Sequence, residues 1–337
     1  MNDRINKDEI GKSGLYVKAL NPLIDIEFAS DVETGLSQAQ KCLSSKYLYN
    51  AKGSQLFSQI TKQPEYYLTA AEAEIIQNYG HLFFQNLRAS PFNLFELGCG
   101  NGDKTFSLIN KIQNAGQHFT FFPMDISETA LDGLAQQLHK AFPLIKVKSK
   151  QGDYHNFLTS IKSLGDHVQN VVLFLGSNIG NYSNTQAHRL IGNIHKGLNS
   201  GDLLLIGMDL KKDYKRMIDA YNDKNGITEA FNLNLLHRMN EELGADFCVE
   251  AFSHYETYNP LESEMQSFLV SNKQQKVKFS KINFCAEFEE YETIFVERSH
   301  KYSFNDIEQL AKTCGFKVVD HYIDSRRDFT DSLWVRI

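Results

Sequence analysis

Apolar residues along this chain fall into two rhythms. Short apolar-rich runs, Leu94-Phe95 with Leu97, then 118–124, 171–175 and 203–208, have the character of buried strands. Between them lie helical spacings, such as Phe106, Ile109 and Ile112 within 105–114, and a stretch at 128–141 that Ser127 would cap. A further strand is expected at 145–148. This alternation predicts an open parallel sheet wound with helices on both faces.

Outside that core the pattern changes. Residues 1–14 are polar, of mixed charge and without periodicity, and are expected to be disordered. The stretch 24–57 reads as mostly helical with a turn signal over 44–53, and Thr69 suits the N-cap of a helix at 70–79. From 212 to 301 the βα rhythm breaks into one helix, 227–243, and short strands near 247–258, 265–271 and 277–283. The rhythm then resumes with a helix at 304–314 and strands at 316–323 and 333–337, close enough to pair as a hairpin. The expected fold is α/β: a Rossmann-like domain over 76–209 and 302–337, and an α+β lobe from 15–75 and 210–301.

The candidate chemistry starts where the first buried strand meets Gly98-Cys-Gly-Asn-Gly102. Glycines let the backbone approach a ligand closely, but the dinucleotide fingerprint wants a third glycine where Asp103 stands. Glu96 and Asp103 favour a cationic ligand over a pyrophosphate. The turn resembles the first motif of class I methyltransferases that use S-adenosylmethionine (SAM), whose sulfonium and ammonium are positive. Asp125, at the exit of the second strand, suits a ribose diol. Gly152-Asp153-Tyr154 follows the third strand, where an adenine would meet an acceptor and an aromatic face. Asn178 and Asn181 fall at the same carboxyl edge. Tyr47, Tyr49, Tyr66 and Tyr67 read from their residues alone as half-buried core.

Composition narrows the classes. The chain has 337 residues, enough for two lobes, 42% hydrophobic and 23% charged, with a net charge of −6 that gives no attraction to nucleic acid. Five scattered cysteines without a Cys-x-x-Cys pair point to a reducing cytoplasm. No apolar run approaches the ~20 residues that cross a bilayer.

Six separated stretches together resemble one family, the SAM-dependent L-histidine Nα-methyltransferases of ergothioneine biosynthesis. They are Tyr49-Asn-Ala-Lys-Gly-Ser54, Pro64-Glu-Tyr-Tyr67, Phe174-Leu-Gly-Ser-Asn-Ile-Gly-Asn181, Ala220-Tyr-Asn-Asp223, Glu241-Glu-Leu-Gly-Ala-Asp-Phe247 and Glu297-Arg-Ser-His-Lys-Tyr302. The resemblance covers nearly the whole chain from about residue 40. It implies that the second lobe binds substrate, and that SAM lies on Gly98, Gly100, Lys104, Asp125, Asp153 and Tyr154. It further implies that Asn181 and Tyr221 hold the amino-acid carboxylate. Tyr49 and Tyr66 would wall the pocket and place water, and Glu297 with Ser299 would bond the imidazole nitrogens. The implied activity is methylation of the histidine α-amine in successive rounds to the trimethylated betaine, hercynine, by a cytoplasmic protein, with a monomer favoured and no metal. No catalytic base is identified. Methylation of an indolic amino acid, or SAM binding without catalysis, are the alternatives.

Overall fold

A computed structural model describes residues 25–85, 87, 91–100, 102–126, 128–152, 161 and 168–337. The expectations for 1–14, Ser127, Asp153 and Tyr154 lie outside the described residues. In chain order the N-terminal elements are α1 (Ile26–Leu36), β1 (Lys41–Cys42), α2 (Ala51–Ile60) and α3 (Tyr67–Tyr79). There follow β2 (Phe92–Leu97), α4 (Asp103–Asn114), β3 (Phe119–Asp125), α5 (Glu128–Ala141), β4 (Lys146–Val147) and β5 (Lys150–Gln151). Then come β6 (Asn170–Phe174), α6 (Asn184–Gly197), β7 (Leu203–Asp209), α7 (Tyr214–Tyr221) and α8 (Ile227–Leu243). The last part holds β8 (Phe252–Asn259), β9 (Glu264–Ser271), β10 (Gln275–Phe279), β11 (Phe284–Phe288) and β12 (Thr293–His300). It closes with α9 (Phe304–Thr313), β13 (Phe316–Ile323) and β14 (Phe329–Arg336).

The chain divides into two compact units. One comprises 64–217, 259–264 and 298–337, the other the described part of 1–63 with 218–258 and 265–297.

The first unit is built on the sheet β13-β14-β7-β6-β2-β3-β4, with β5 also paired to β3. β2, β6 and β7 are buried at every position, which is why their text is mostly apolar and shows no polar-apolar alternation. The chain runs from β2 outward to β3 and β4, then returns to the other side of β2 for β6 and β7. The order therefore reverses between β2 and β6, and a ligand crevice belongs at the carboxyl ends there. Register is held at the opposite, amino edge, where Asn93 Nδ2 donates to Asn170 Oδ1 at 3.0 Å and Asn170 Nδ2 to Asp202 Oδ2 at 2.8 Å. β14 inserts antiparallel between β7 and β13, pairing Trp334 with Leu204 and Asp331 with Gly207. Trp334 is fully buried in the core formed with Phe95, Phe174 and Ile191.

The second unit carries the sheet β1-β12-β9-β8 and the hairpin β10-β11 beside α1, α2 and α8. Asn50 caps α2 by accepting from Gly53 N at 2.8 Å and also accepts from Asn234 Nδ2 of α8 at 2.9 Å. Phe247 packs edge-on to Phe252 and Phe279, which anchors the hairpin.

Several boundaries differ from expectation for physical reasons. α3 starts at Tyr67 rather than at 70, because Tyr67 and Leu68 are themselves buried and draw the helix back toward Pro64. The strand expected from 247 starts at Phe252, since Val249–Ala251 turn as a short 3₁₀ segment. The expected 277–283 strand ends at Phe279, and β11 follows, its buried Ala286 and Phe288 alternating with exposed residues within an otherwise acidic run. The last strand is longer than 333–337 because it pairs on both edges.

Candidate active site

At the exit of β2 the chain makes the turn that the glycines announce. Gly98, Gly100 and Gly102 have φ of 72°, 55° and 80°, left-handed values that a side chain disfavours. The amides of Gly98 and Cys99 both donate to the Met124 carbonyl, at 2.9 and 3.2 Å, which fastens the turn to the end of β3. Gly100 N–H donates to Asp125 Oδ2 at 3.0 Å. A Cβ on Gly102 would lie 2.3 Å from Leu134 Cδ1, whereas one on Gly100 would meet nothing within 4 Å. The inner side of the turn is thus packed and its outer side open.

Glu96 does not act as the sequence suggests. It is buried, accepts from Thr105 Oγ1 at 2.6 Å, and burial pushes its carboxyl up to about 7. It joins β2 to the first turn of α4, and desolvation suppresses the negative charge expected to face a cation. Cys99 is buried too; burial first, then the nearby Glu96 and Asp125, push its thiol far up, so no thiolate nucleophile forms.

Lys104, one residue into α4, pairs through Nζ with Glu72 of α3, whose carboxylate also accepts from Gly176 N–H at 2.6 Å. Asp331 of β14 faces the same group: a Cβ on Gly207 would lie 2.4 Å from Glu72 Oε1 and 3.2 Å from Asp331 Oδ1. Burial, and then the Glu72 charge, raise Asp331 well above the usual carboxylate range. Gly207 makes room for two acids, one of which keeps its proton.

The segment after β6 closes in a 3₁₀ turn, Asn178–Asn181, entered through Ser177 at φ 57°. Ser177 Oγ accepts from Asp209 N–H at 3.1 Å, which ties the exits of β6 and β7 together. The turn lies against the end of β12, for a Cβ on Gly180 would be 3.3 Å from Ser299 Oγ. Asn181 and Ser299 are therefore neighbours by structure, though 118 positions apart in the chain (299 − 181). Tyr66 is half-buried at the residue preceding α3.

In the other unit, the Tyr49 ring stands edge-on to Phe57 and Phe231, with centroids 5.5 and 5.4 Å away. Tyr221 ends α7, 7% exposed, and its carbonyl lies 3.3 Å from His254 Nε2. Glu297 is half-buried on β12.

A family model described as histidine-specific methyltransferase, SAM-dependent, matches residues 28–336. The chain belongs to that family. It is similar to the histidine N-alpha-methyltransferase of Mycobacterium tuberculosis, 33% identical over 303 residues, 90% of this chain and 93% of that protein. It is also similar to ergothioneine biosynthesis protein 1 of Neurospora crassa, at 30% identity over 83% of this chain and 32% of that protein. A 4-dimethylallyltryptophan N-methyltransferase from Claviceps fusiformis is more distant, at 24% over 64% of this chain and 62% of its own.

In this SAM-dependent methyltransferase the cradle fits its cofactor. The open side of Gly100, the Asp125 carboxylate beside it and the Lys104 ammonium present backbone access, an acceptor and a cation along one strand edge. Sequence reasoning missed Glu72, Asp331 and the buried Asp209, Lys212 and Lys301. Gly207 was the available signal, a lone glycine inside an apolar strand that marks a close approach. Nothing local marks the lysines, which are paired only through the fold. Among the described residues no group of three or more metal-ligating side chains is found, and no helix is long and apolar enough to cross a membrane.

Proposed function

We propose that this chain methylates the α-amine of L-histidine in three successive rounds, and that the assigned residues divide the work as follows. SAM supplies an electrophilic methyl carbon on a sulfonium. Gly98 and Gly100 would admit it along the backbone, Asp125 would accept from its ribose hydroxyls, and Lys104, steadied by Glu72, would meet its carboxylate. Asp153 and Tyr154 keep the adenine roles that the resemblance implies. Asn181 and Tyr221 donate to the substrate carboxylate, Tyr49 and Tyr66 place water, and Glu297 and Ser299 bond the ring.

The nitrogen lone pair forms the new N–C bond while the C–S bond breaks and its electron pair stays on sulfur. The α-ammonium must lose a proton to free its lone pair before the first transfer, and the mono- and dimethylated ammonium products must each lose one before the next round; water or a tyrosine hydroxyl carries these three protons away. Positioning supplies most of the rate.

The observation that supports this reading best is the family match over 28–336, which spans both units. The likeness to a tryptophan-derived methyltransferase is weaker in identity and extent, so histidine is preferred to an indolic substrate. The likeness to ergothioneine biosynthesis protein 1 supports a product bound for that pathway. The acidic net charge supports the absence of a nucleic-acid partner, and the scattered cysteines support a cytoplasmic location.

The test is incubation with SAM and a panel of free amino acids, read by mass spectrometry. Histidine should accumulate one, two and finally three methyl groups. Methylation of another amino acid in preference to histidine would overturn the proposal.

A further inference from the structure

Three strips assigned to the substrate lie in the unit built on the large sheet: Tyr66 before α3, Asn181 in the 3₁₀ turn after β6, and Ser299 near the end of β12. Each is tied to one residue that belongs to none of them, Asp209, fully buried at the carboxyl end of β7. Next to Tyr66, the Tyr67 hydroxyl donates to Asp209 Oδ2 at 2.8 Å. Lys301 Nζ, just beyond β12, lies 2.7 Å from the same oxygen and donates to Ser299 Oγ at 2.8 Å. The main chain of Asp209 takes the third strip. Its N–H donates at 3.1 Å to Oγ of Ser177, which enters the turn that ends in Asn181, and its carbonyl accepts from Tyr302 N–H at 2.9 Å.

The second carboxylate oxygen is occupied as well. Lys212 Nζ pairs with Asp209 Oδ1 and also donates to the Tyr67 hydroxyl at 2.9 Å. Burial pushes the Asp209 carboxyl up, but Lys301 and then Lys212 more than reverse this and hold it low. A buried carboxylate has no bulk water with which to exchange partners, and its charge-assisted bonds are strong and directional. The strips it holds need such an anchor, because a helix start, a four-residue turn and a strand end are where local structure opens most readily.

We propose that Asp209 is a positioning residue for the methyl acceptor: it keeps Tyr66, Asn181 and Ser299 in one fixed arrangement, acting through Tyr67, Ser177 and Lys301. The inference rests on the assignment of those three residues to histidine made under Proposed function. Cofactor binding serves as the internal control. The glycine turn is fastened to the end of β3 through Met124 and Asp125, and Lys104 is held by Glu72, so none of these contacts ends on Asp209.

Calorimetry of S-adenosylhomocysteine binding, and of histidine binding to the S-adenosylhomocysteine-loaded enzyme, tests the proposal. Asp209→Asn keeps the shape and drops the charge; it should weaken histidine about tenfold or more and leave S-adenosylhomocysteine within about twofold. In steady-state kinetics the histidine KM should carry most of the loss in kcat/KM. Tyr67→Phe and Lys301→Met each cut one tie and leave the carboxylate in place, which keeps the test open where Asp209→Asn does not fold. Each should weaken histidine about five- to tenfold. The double variant should fall short of the product of the two losses, because both ties end on one carboxylate. Folded variants with a lowered Tm that bind histidine like wild type overturn the inference, for the cluster would then serve stability alone. Losses that multiply overturn it as well, since the two ties would then act independently. Asn181→Ala and Ser299→Ala proteins that bind histidine unchanged would instead remove the substrate assignment on which the inference rests.

Discussion

Asp125 Oδ2 accepts from Gly100 N–H, and under the proposed assignment the same carboxylate would accept from a ribose diol. Asp125→Asn keeps an oxygen for the turn but removes the charge. It should weaken SAM binding by about 1.5–3 kcal/mol in calorimetry, with the histidine KM moving less. Unchanged SAM affinity in the folded variant would detach Asp125 from the cofactor. At the ring, Glu297→Ala should lower kcat/KM for histidine strongly and narrow its gap to tryptophan. The change removes a carboxylate that an apolar ring would have to desolvate. Steady-state kinetics on both amino acids check this, and an equal ratio of the two values before and after would show that Glu297 does not read the ring.

At the scale of elements, the β2-turn-α4 passage depends on two buried details. Gly102 combines φ 80° with contact to Leu134 of α5, so Gly102→Ala meets both backbone strain and overpacking. It should cost about 2–4 kcal/mol in urea unfolding. Adding Leu134→Ala should relieve only the packing part; an undiminished Tm in Gly102→Ala would mean that the turn is not tightly built. Glu96 links strand to helix in a protonation-dependent way. Its folded pKa of about 7 lies above the unfolded value of 4.5. Its contribution is therefore fully present below pH 4.5 and is lost as pH rises through 7. Glu96→Gln should be more stable than wild type at pH 8, by up to about 3 kcal/mol, and should lose that advantage near pH 5. Parallel denaturation curves at the two pH values decide it.

For the whole molecule, a ligand that binds only the folded chain must stabilise it. S-adenosylhomocysteine at one hundred times its Kd should add about 2.7 kcal/mol to unfolding, and Asp125→Asn should lose most of that at the same concentration. A Tm indifferent to the ligand would separate the Gly98–Gly102 turn from the cofactor. The two compact units each mix segments distant in sequence, and β12 passes from one to the other between Glu297 and Arg298. The residues assigned to substrate are accordingly scattered from Tyr49 to Ser299 along the chain.

The sequence by itself determined what depends on local pattern. Apolar-rich runs located β2, β6 and β7, since a strand covered on both faces shows no alternation of polar and apolar positions. Three alternate glycines located the turn, because left-handed φ values leave that mark. Resemblance over six stretches carried the functional reading, which no single residue could carry. The tertiary structure alone decided which charges meet. Glu72 and Asp331 lie 259 positions apart (331 − 72), and Asp209 and Lys301 lie 92 apart (301 − 209). Each is an unremarkable charged residue until the order of the strands buries it beside its partner. The same burial turned Glu96 from an anion expected to favour a cationic ligand into an internal link, because desolvation depends on the whole fold and not on neighbours in the chain.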